Sequence, residues 1–297
     1  MVDPAKIEAL TDRLESLPSP SSSSSKKKSG GRSGGDRTTT LSRALSRLLR
    51  HQATSANIPL DPLGFAPLSL VLAWPPLKSL SPTLEEILTC VHSSDKQRFA
   101  LKPLAAENST DPKDWLIRAN QGHSIKLSSD SGLLKRISLS PDPEKDEVPI
   151  PETVVHGTYF AFWPKIVESG GLKPMGRNHV HCSVGLPEDE DGVISGMRKD
   201  AEVLVYIDLE KSLKEGDEIK WWLSENGVVL TEGNAEGVVP TKYFKEVVGR
   251  KQDVGVLWKD GEHVADLPEG IKIKAPHGKG GSGGGRGGRG GKRGGQS

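Results

Sequence analysis

The run Leu41-Ser42-Arg43-Ala44-Leu45-Ser46-Arg47-Leu48-Leu49-Arg50-His51 has the spacing of an amphipathic helix. Leu41, Leu45, Leu48 and Leu49 recur at i, i+4, i+7 and i+8, the pattern of one buried stripe. Arg43, Arg47 and Arg50 fall elsewhere on the wheel and make a cationic face. The helix ends on Arg50-His51. A guanidinium offers a planar fork of donors, and an imidazole donates or accepts a proton, so the pair suits a bound phosphate. A solvated basic face is the other reading of the same arginines.

Working outward, residues 38–127 read as one globular stretch. Gly64 to Leu72 is expected to form a turn and then a short helix. Thr83 precedes Leu84-Glu85-Glu86-Ile87-Leu88-Thr89-Cys90-Val91-His92, with Thr83 as N-cap and Glu86 at the capping-box position. Arg98-Phe99-Ala100-Leu101 and Asp114 to Ala119 read as two short strands. Three helices followed by a β-hairpin is the order of a winged helix-turn-helix. Pro75-Pro76 and residues 107–113 read as loop insertions.

Residues 128–147 are rich in Ser, Pro and charge and read as a linker. A second stretch, 148–273, has short apolar runs bounded by glycine. They include Val154-Val155-His156, Val203 to Asp208, Ile219-Lys220-Trp221-Trp222 and Gly227 to Thr231. One helix stands out, Trp163 to Ser169, closed by Gly170-Gly171. The expected fold class is α+β, with a mainly β second lobe.

The chain of 297 residues carries a formal net charge of +1, so no global field pulls it toward nucleic acid. Its cations are concentrated at the ends. Residues 1–37 hold a serine run and Lys26-Lys27-Lys28 after a short helix-compatible segment, Pro4 to Leu14. Residues 274–297 are mostly glycine with interspersed Arg and Lys. Neither segment has the apolar content to offset its ordering entropy, and both are expected to be disordered. The glycine-arginine tail suits RNA without sequence preference, or serves only as a flexible tail. Cys90 and Cys182 are far apart, which argues against a zinc ribbon or a disulfide framework. No secretory signal and no membrane-length apolar run is seen, and a cytoplasmic or nuclear location is expected. For want of any heptad, a monomer is expected.

Four further motifs carry candidate chemistry. His156-Gly157-Thr158 is expected after a strand and before a helix, where Gly157 lets the backbone approach a ligand. In Arg177-Asn178-His179-Val180-His181-Cys182-Ser183 the histidines two apart share a strand face. A zinc site from His156, His179 and His181 lacks a fourth ligand, and no metal is expected. Arg198, in Gly196-Met197-Arg198, is placed to reach a cleft or merely to sit in a solvated loop. Asn226-Gly227 is a tight-turn signal.

Arg50-His51, Arg118 in Ile-Arg-Ala-Asn-Gln-Gly-His-Ser, His156-Gly157-Thr158, Arg177 to His181, Gly196-Met197-Arg198 and Asn226 to Thr231 occur together in one order. That order resembles the tRNA 2′-phosphotransferase family, and the resemblance covers nearly all of residues 39–250. It implies a winged-helix lobe joined to a lobe similar to the ADP-ribosyltransferase fold. It implies removal of a splice-junction 2′-phosphate from ligated tRNA, with NAD⁺ consumed as co-substrate. The 2′-phosphate attacks C1″ of the nicotinamide riboside and expels nicotinamide. The 2″-hydroxyl then attacks phosphorus, giving ADP-ribose 1″,2″-cyclic phosphate and RNA with a free 2′-hydroxyl. Arg50, His51, Arg118 and Arg198 match the family's catalytic Arg-His-Arg-Arg set. Arg50, His51 and Arg118 would grip the phosphate, with His123 and Arg177 as further candidates for phosphate or NAD⁺ contact. Arg198 would stabilise the transesterification. His156, Gly157, Thr158, His181, Ser183, Asn226, Gly227 and Val228 would line the NAD⁺ site. Two alternatives stand beside this reading. One is a winged-helix nucleic-acid-binding module with a degenerate pocket. The other is an ADP-ribosyltransferase acting on terminal phosphates of nucleic acid.

Overall fold

A computed structural model describes residues 37–105, 109–127, 133–186, 196–215 and 218–273. The expectations for residues 1–36 and for residues 274–297 lie outside the described residues. The described helices are α1 (Arg37–Arg47), α2 (Leu68–Ala73), α3 (Pro75–Lys78), α4 (Leu84–His92), α5 (Trp163–Glu168) and α6 (Leu209–Lys214). The strands of the first part are β1 (Ala66–Pro67), β2 (Phe99–Pro103) and β3 (Trp115–Ala119). Those of the second are β4 (Leu134–Ile137), β5 (Glu147–Val148), β6 (Val155–Thr158), β7 (Gly171–Leu172), β8 (Val180–Ser183) and β9 (Val203–Ile207). They continue with β10 (Trp222–Ser224), β11 (Val228–Thr231), β12 (Val239–Pro240), β13 (Phe244–Gly249), β14 (Val256–Lys259) and β15 (Glu262–His263).

Leu41, Leu45, Leu48 and Leu49 are all buried, as their spacing requires. They pack with Leu68, Val71, Leu77, Ile87, Phe99, Trp115 and Ile117 in a hydrophobic cluster drawn wholly from residues 41–119. β1, β3 and β2 form a small antiparallel sheet in that order. The capping box at Thr83 is present: Glu86 N donates to Thr83 Oγ1 (3.1 Å), and Thr83 N donates to Glu86 Oε2 (3.0 Å). Glu86 also pairs with Arg37, which donates to Leu80 O as well. Arg37, expected in the N-terminal tail, therefore opens α1 instead. Pro75-Pro76, expected as a loop, starts α3. A proline pair fits a helix N-terminus because its fixed φ is helical and its missing N–H would be unpaired there anyway.

Beyond residue 133 a ten-stranded sheet runs in the order β15-β14-β13-β9-β6-β8-β11-β10-β4-β5, antiparallel except for β4 against β5. Its cluster joins Ile137, Val203, Val205, Trp221, Val229, Tyr243, Phe244 and Leu257. The molecule is thus mixed α+β with one large mixed sheet. Within 128–147, expected as a linker, Leu134–Ile137 pairs with β10, and Ile137 is fully buried. The charged Lys135-Arg136 between the apolar ends concealed that strand. A second helix of this part, α6, went unseen because its Leu-Glu-Lys-Ser-Leu-Lys is short. Its start is nevertheless signalled by Asp208, whose side chain accepts from Lys211 N. The strand expected at Ile219–Trp222 begins only at Trp222, and Trp221 is buried with its indole N–H on Ser212 Oγ (2.9 Å). Helix α5 closes at Gly170 (φ +74°) and Gly171 (φ +152°), as expected. A Cβ on Gly171 would meet Val239 O at 2.0 Å.

Candidate active site

α1 does not end as a plain α-helix. Leu48–Gln52 widen into a π-helical turn. Under α-periodicity Arg50 lies about half a turn from the leucine stripe, on the outer face. The wider turn swings it inward, and only 9% of Arg50 remains exposed, while Arg43 and Arg47 stay in solvent. This separates Arg50 from the cationic face expected to include it. A π-turn is uncommon and concentrates at functional sites. The turn's carbonyl at Arg50 accepts from Ser124 N (2.9 Å), and His51 Nδ1 lies 2.9 Å from Ser124 Oγ. Gly122 (φ +84°) lies beside the guanidinium, where a Cβ would stand 3.4 Å from Arg50 Nη1.

Arg118 comes from β3 and is 8% exposed. It stacks on Phe65, with Cζ 4.7 Å from the ring centre, and donates to Leu63 O (3.3 Å) and to Glu225 Oε2 (2.5 Å). Glu225 sits in the β10–β11 hairpin, so this ion pair joins the two hydrophobic clusters' elements. Arg50 Nε and Nη2 and Arg118 Nε are buried donors without a hydrogen-bond partner. Unpaired buried donors cost free energy, and an anion would satisfy them.

The histidines and the remaining arginines surround these two. His123 is buried and neutral, pushed down to about 3 by burial first and then by Arg50, His179, His51 and Arg118. One ring therefore feels Arg50, His51 and Arg118 together. Burial, with Arg177 and Arg98 nearby, lowers Arg50 to about 10. Desolvation, with Arg50 and Arg177, holds His51 below its usual value. Arg177 is lowered by burial and by Arg198. Arg198 Nη1 donates to Tyr159 Oη (3.3 Å), and that hydroxyl donates to Asp200 Oδ1 (2.8 Å). Of the expected set, Arg50, His51 and Arg118 all act on His123, and Arg177 acts on Arg50 and His51 and is itself acted on by Arg198.

His181 continues it. Its pKa is pushed down to about 3 by burial first, then by Arg177. Its Nδ1 bonds His179 O (2.8 Å), and a carbonyl can only accept, so Nδ1 carries the proton. His181 Nε2 is then a buried acceptor, and it has no partner. His156 Nδ1 bonds His181 O (2.9 Å) by the same logic. His179 lies just before β8 rather than beside His181 on it.

Other expected site residues are committed to the protein itself. His156-Gly157-Thr158 lies within β6, not between strand and helix. A Cβ on Gly157 would stand 2.5 Å from Met197 Cγ and 2.9 Å from Ala201 Cβ, so its bareness makes room for Met197, not for a ligand. Thr158 is buried opposite Val203. Ser183 Oγ bonds the carbonyls of Val155 (3.2 Å) and Gly185 (2.9 Å). Asn226-Gly227 makes the expected tight turn between β10 and β11, with Gly227 at φ +73° and Val228 N donating to Ser224 Oγ (2.9 Å). Asn226 Nδ2 donates to Lys96 O (2.9 Å). Sequence reasoning missed Arg98, Glu225 and Lys96 as neighbours of the site. The available signal was Lys96 and Arg98, two cations two residues apart at the mouth of an apolar strand. Among the described residues no group of three His, Cys, Asp or Glu is arranged to hold a metal ion, and no helix is long and apolar enough to cross a membrane.

Two buried arginines, Arg50 and Arg118, beside the buried histidines His123 and His181 and near the exposed Arg177 and Arg198, make a set that suits an anionic group such as a phosphate. The profile of the RNA 2′-phosphotransferase, Tpt1 / KptA family matches residues 36–233, and the chain belongs to that family. It is 39% identical to a mouse protein named tRNA 2′-phosphotransferase 1 over 244 residues, 82% of this chain and 90% of the relative. It is 43% identical to the bovine protein of that name, covering 72% of this chain and 76% of the relative. A Saccharomyces cerevisiae tRNA 2′-phosphotransferase is 37% identical, covering 71% of this chain and 84% of the relative.

Proposed function

We propose that this chain removes the splice-junction 2′-phosphate from ligated tRNA and transfers it to NAD⁺. The observation that carries the proposal is the pair of buried guanidiniums, Arg50 and Arg118, with unpartnered donors beside one neutral histidine. Arg177 repels Arg50 on one side and Arg198 on the other, and a phosphate dianion would relieve that repulsion. The family match and the names of the relatives support RNA as the phosphate's carrier.

The reaction proceeds in two displacements. The RNA 2′-phosphate oxygen bonds C1″ of the nicotinamide riboside, and the C1″–N bond breaks with nicotinamide leaving. The ribose 2″-hydroxyl then attacks phosphorus, and the RNA 2′-oxygen leaves with a proton. Arg50 and Arg118 hold the phosphate for the first step. A phosphate is already anionic at neutral pH and needs no base to activate it. Arg198 and Arg177 are assigned to the charge that grows on the equatorial oxygens in the second. Fixed guanidiniums stabilise such charge without reorganising. His51, exposed and bonded to Ser124, is the group able to move the proton. The fit to a ribose is supported by His181 Nε2, a buried acceptor with no donor. A sugar hydroxyl supplies that donor. His156, Gly157, Thr158, Ser183, Asn226, Gly227 and Val228 act as framework for this end of the site. We read residues 38–127 as a winged-helix lobe, from α1, α2 and α4 followed by the β2–β3 hairpin. Residues 148–273 are read as an ADP-ribosyltransferase-like lobe.

The test is incubation of a 2′-phosphorylated oligonucleotide with NAD⁺. Loss of the 2′-phosphate with stoichiometric nicotinamide release is expected. Binding without turnover would identify a nucleic-acid-binding module, and a stable ADP-ribosylated product would identify transfer to terminal phosphates.

A further inference from the structure

Lys96 lies in the turn between α4 and β2 and belongs to none of the sequence motifs. Its ammonium is half-buried and donates to the carbonyl of Met197 (2.8 Å), whose side chain packs in a small cluster with Val155, Ala201 and Leu204. Its own carbonyl accepts from Asn226 Nδ2 (2.9 Å). One residue of the first part is therefore bonded to two separate segments of the second. The segment that receives the ammonium is the one carrying Arg198.

That segment is pinned at every point. Met197 O accepts from Lys96. Arg198 O and Lys199 O accept from Arg250 Nη1, at 3.4 and 2.9 Å. Three successive carbonyls are thus bonded by cationic side chains from outside the segment. Met197 packs into the space that Gly157 leaves by lacking a Cβ. The Arg198 head is held by Tyr159, itself fixed on Asp200. A half-buried ammonium loses water, and its charge-assisted hydrogen bond to Met197 O is directed at the backbone of the segment that carries Arg198. Packing alone is served more cheaply by an uncharged side chain.

We propose that Lys96 is a positioning residue that holds the Met197–Lys199 backbone, and through it the Arg198 guanidinium, against the phosphate gripped by the first part. This rests on the proposed function, and it makes the second displacement, not the first, depend on Lys96. The experiment compares wild type with Lys96→Met on two substrates: 2′-phosphorylated RNA with NAD⁺, and RNA already carrying the 2′-phospho-ADP-ribose. Resolution of the second substrate is expected to slow at least tenfold in the variant, while nicotinamide release from the first changes less than threefold. Resolution within threefold of wild type overturns the proposal. So does an equal fall in both steps, or a loss confined to RNA affinity, which would make Lys96 a phosphate contact. Amide hydrogen exchange over residues 197–201, measured without substrate, is expected to quicken in Lys96→Met, and unchanged exchange also overturns the proposal. Should that variant not fold, Arg250→Gln loosens the same carbonyls from the other side and is read in the same way. If wild type itself releases no nicotinamide, the functional reading fails, whereas the exchange measurement still judges the contact.

Discussion

At the scale of single residues, the site is a balance between cations and what occupies them. Arg118 spends one donor on Glu225 and leaves Nε buried and unpaired. Glu225 is a poor anchor by itself, since 59% of its side chain is exposed and exposed pairs contribute little. On the proposed function, an incoming phosphate would compete with the Glu225 carboxylate for the same guanidinium. Glu225→Gln keeps the shape and removes the charge. We expect inorganic phosphate to bind that variant several-fold more tightly, as read by competition against RNA binding. Equal or weaker binding would contradict the competitor role. Part of this layer was legible in the chain: Arg50, His51 and Arg118 meet at His123, and Arg177 connects Arg50 with Arg198. The roles of Gly157, Ser183 and Asn226 were not, because a motif names a residue type but not which neighbour consumes its hydrogen bonds.

At the scale of elements, local chemistry decided what sequence could reveal. The Thr83 capping box and the Asn226-Gly227 hairpin are written in short-range rules, and both formed as expected. Thr83→Ala removes one cap bond of α4, a contact that involves none of the candidate site residues, and should cost about 1 kcal/mol of stability. Urea denaturation should register that loss while the activity of the folded fraction stays unchanged, and an activity loss exceeding the unfolded fraction would refute it. The π-helical turn at Leu48–Gln52 was illegible, because nothing in Leu-Leu-Arg-His-Gln distinguishes it from an α-turn. Tertiary bonds define it: Ser124 N and Ile125 N both donate to Arg50 O, from a loop remote in sequence. β4 was hidden for the opposite reason, its charged centre outweighing two apolar ends until Ile137 found the core.

At the scale of the whole molecule, three apolar clusters make up the described core, and the histidines buried among the polar residues between its elements have a pH signature. His123 and His181, each 7% exposed, titrate near 3 in the folded chain against an ordinary 6.5. Between those values the unfolded state binds a proton at each site and the folded state does not. Stability therefore falls as pH drops from about 6.5 toward 3, by up to about 1.4 kcal/mol per pH unit for each histidine. Denaturation midpoints at pH 7 and pH 5 should differ accordingly, and His123→Asn should flatten the difference. A pH-independent midpoint would mean that these histidines are reached by water. The α+β class and the division of apolar runs were legible from periodicity. The Arg118–Glu225 ion pair and the Lys96 contact were not, since they depend on long-range register.

The central claim is that Arg50 and Arg118 grip one and the same phosphate. A double-mutant cycle of Arg50→Ala and Arg118→Ala tests it, with affinity measured for a 2′-phosphorylated RNA and for the same RNA lacking the phosphate. Wild type should prefer the phosphorylated form. Each single variant should lose about 2 kcal/mol or more of that preference, and the double variant far less than the sum. Strictly additive losses, or no preference in wild type, would contradict a shared phosphate.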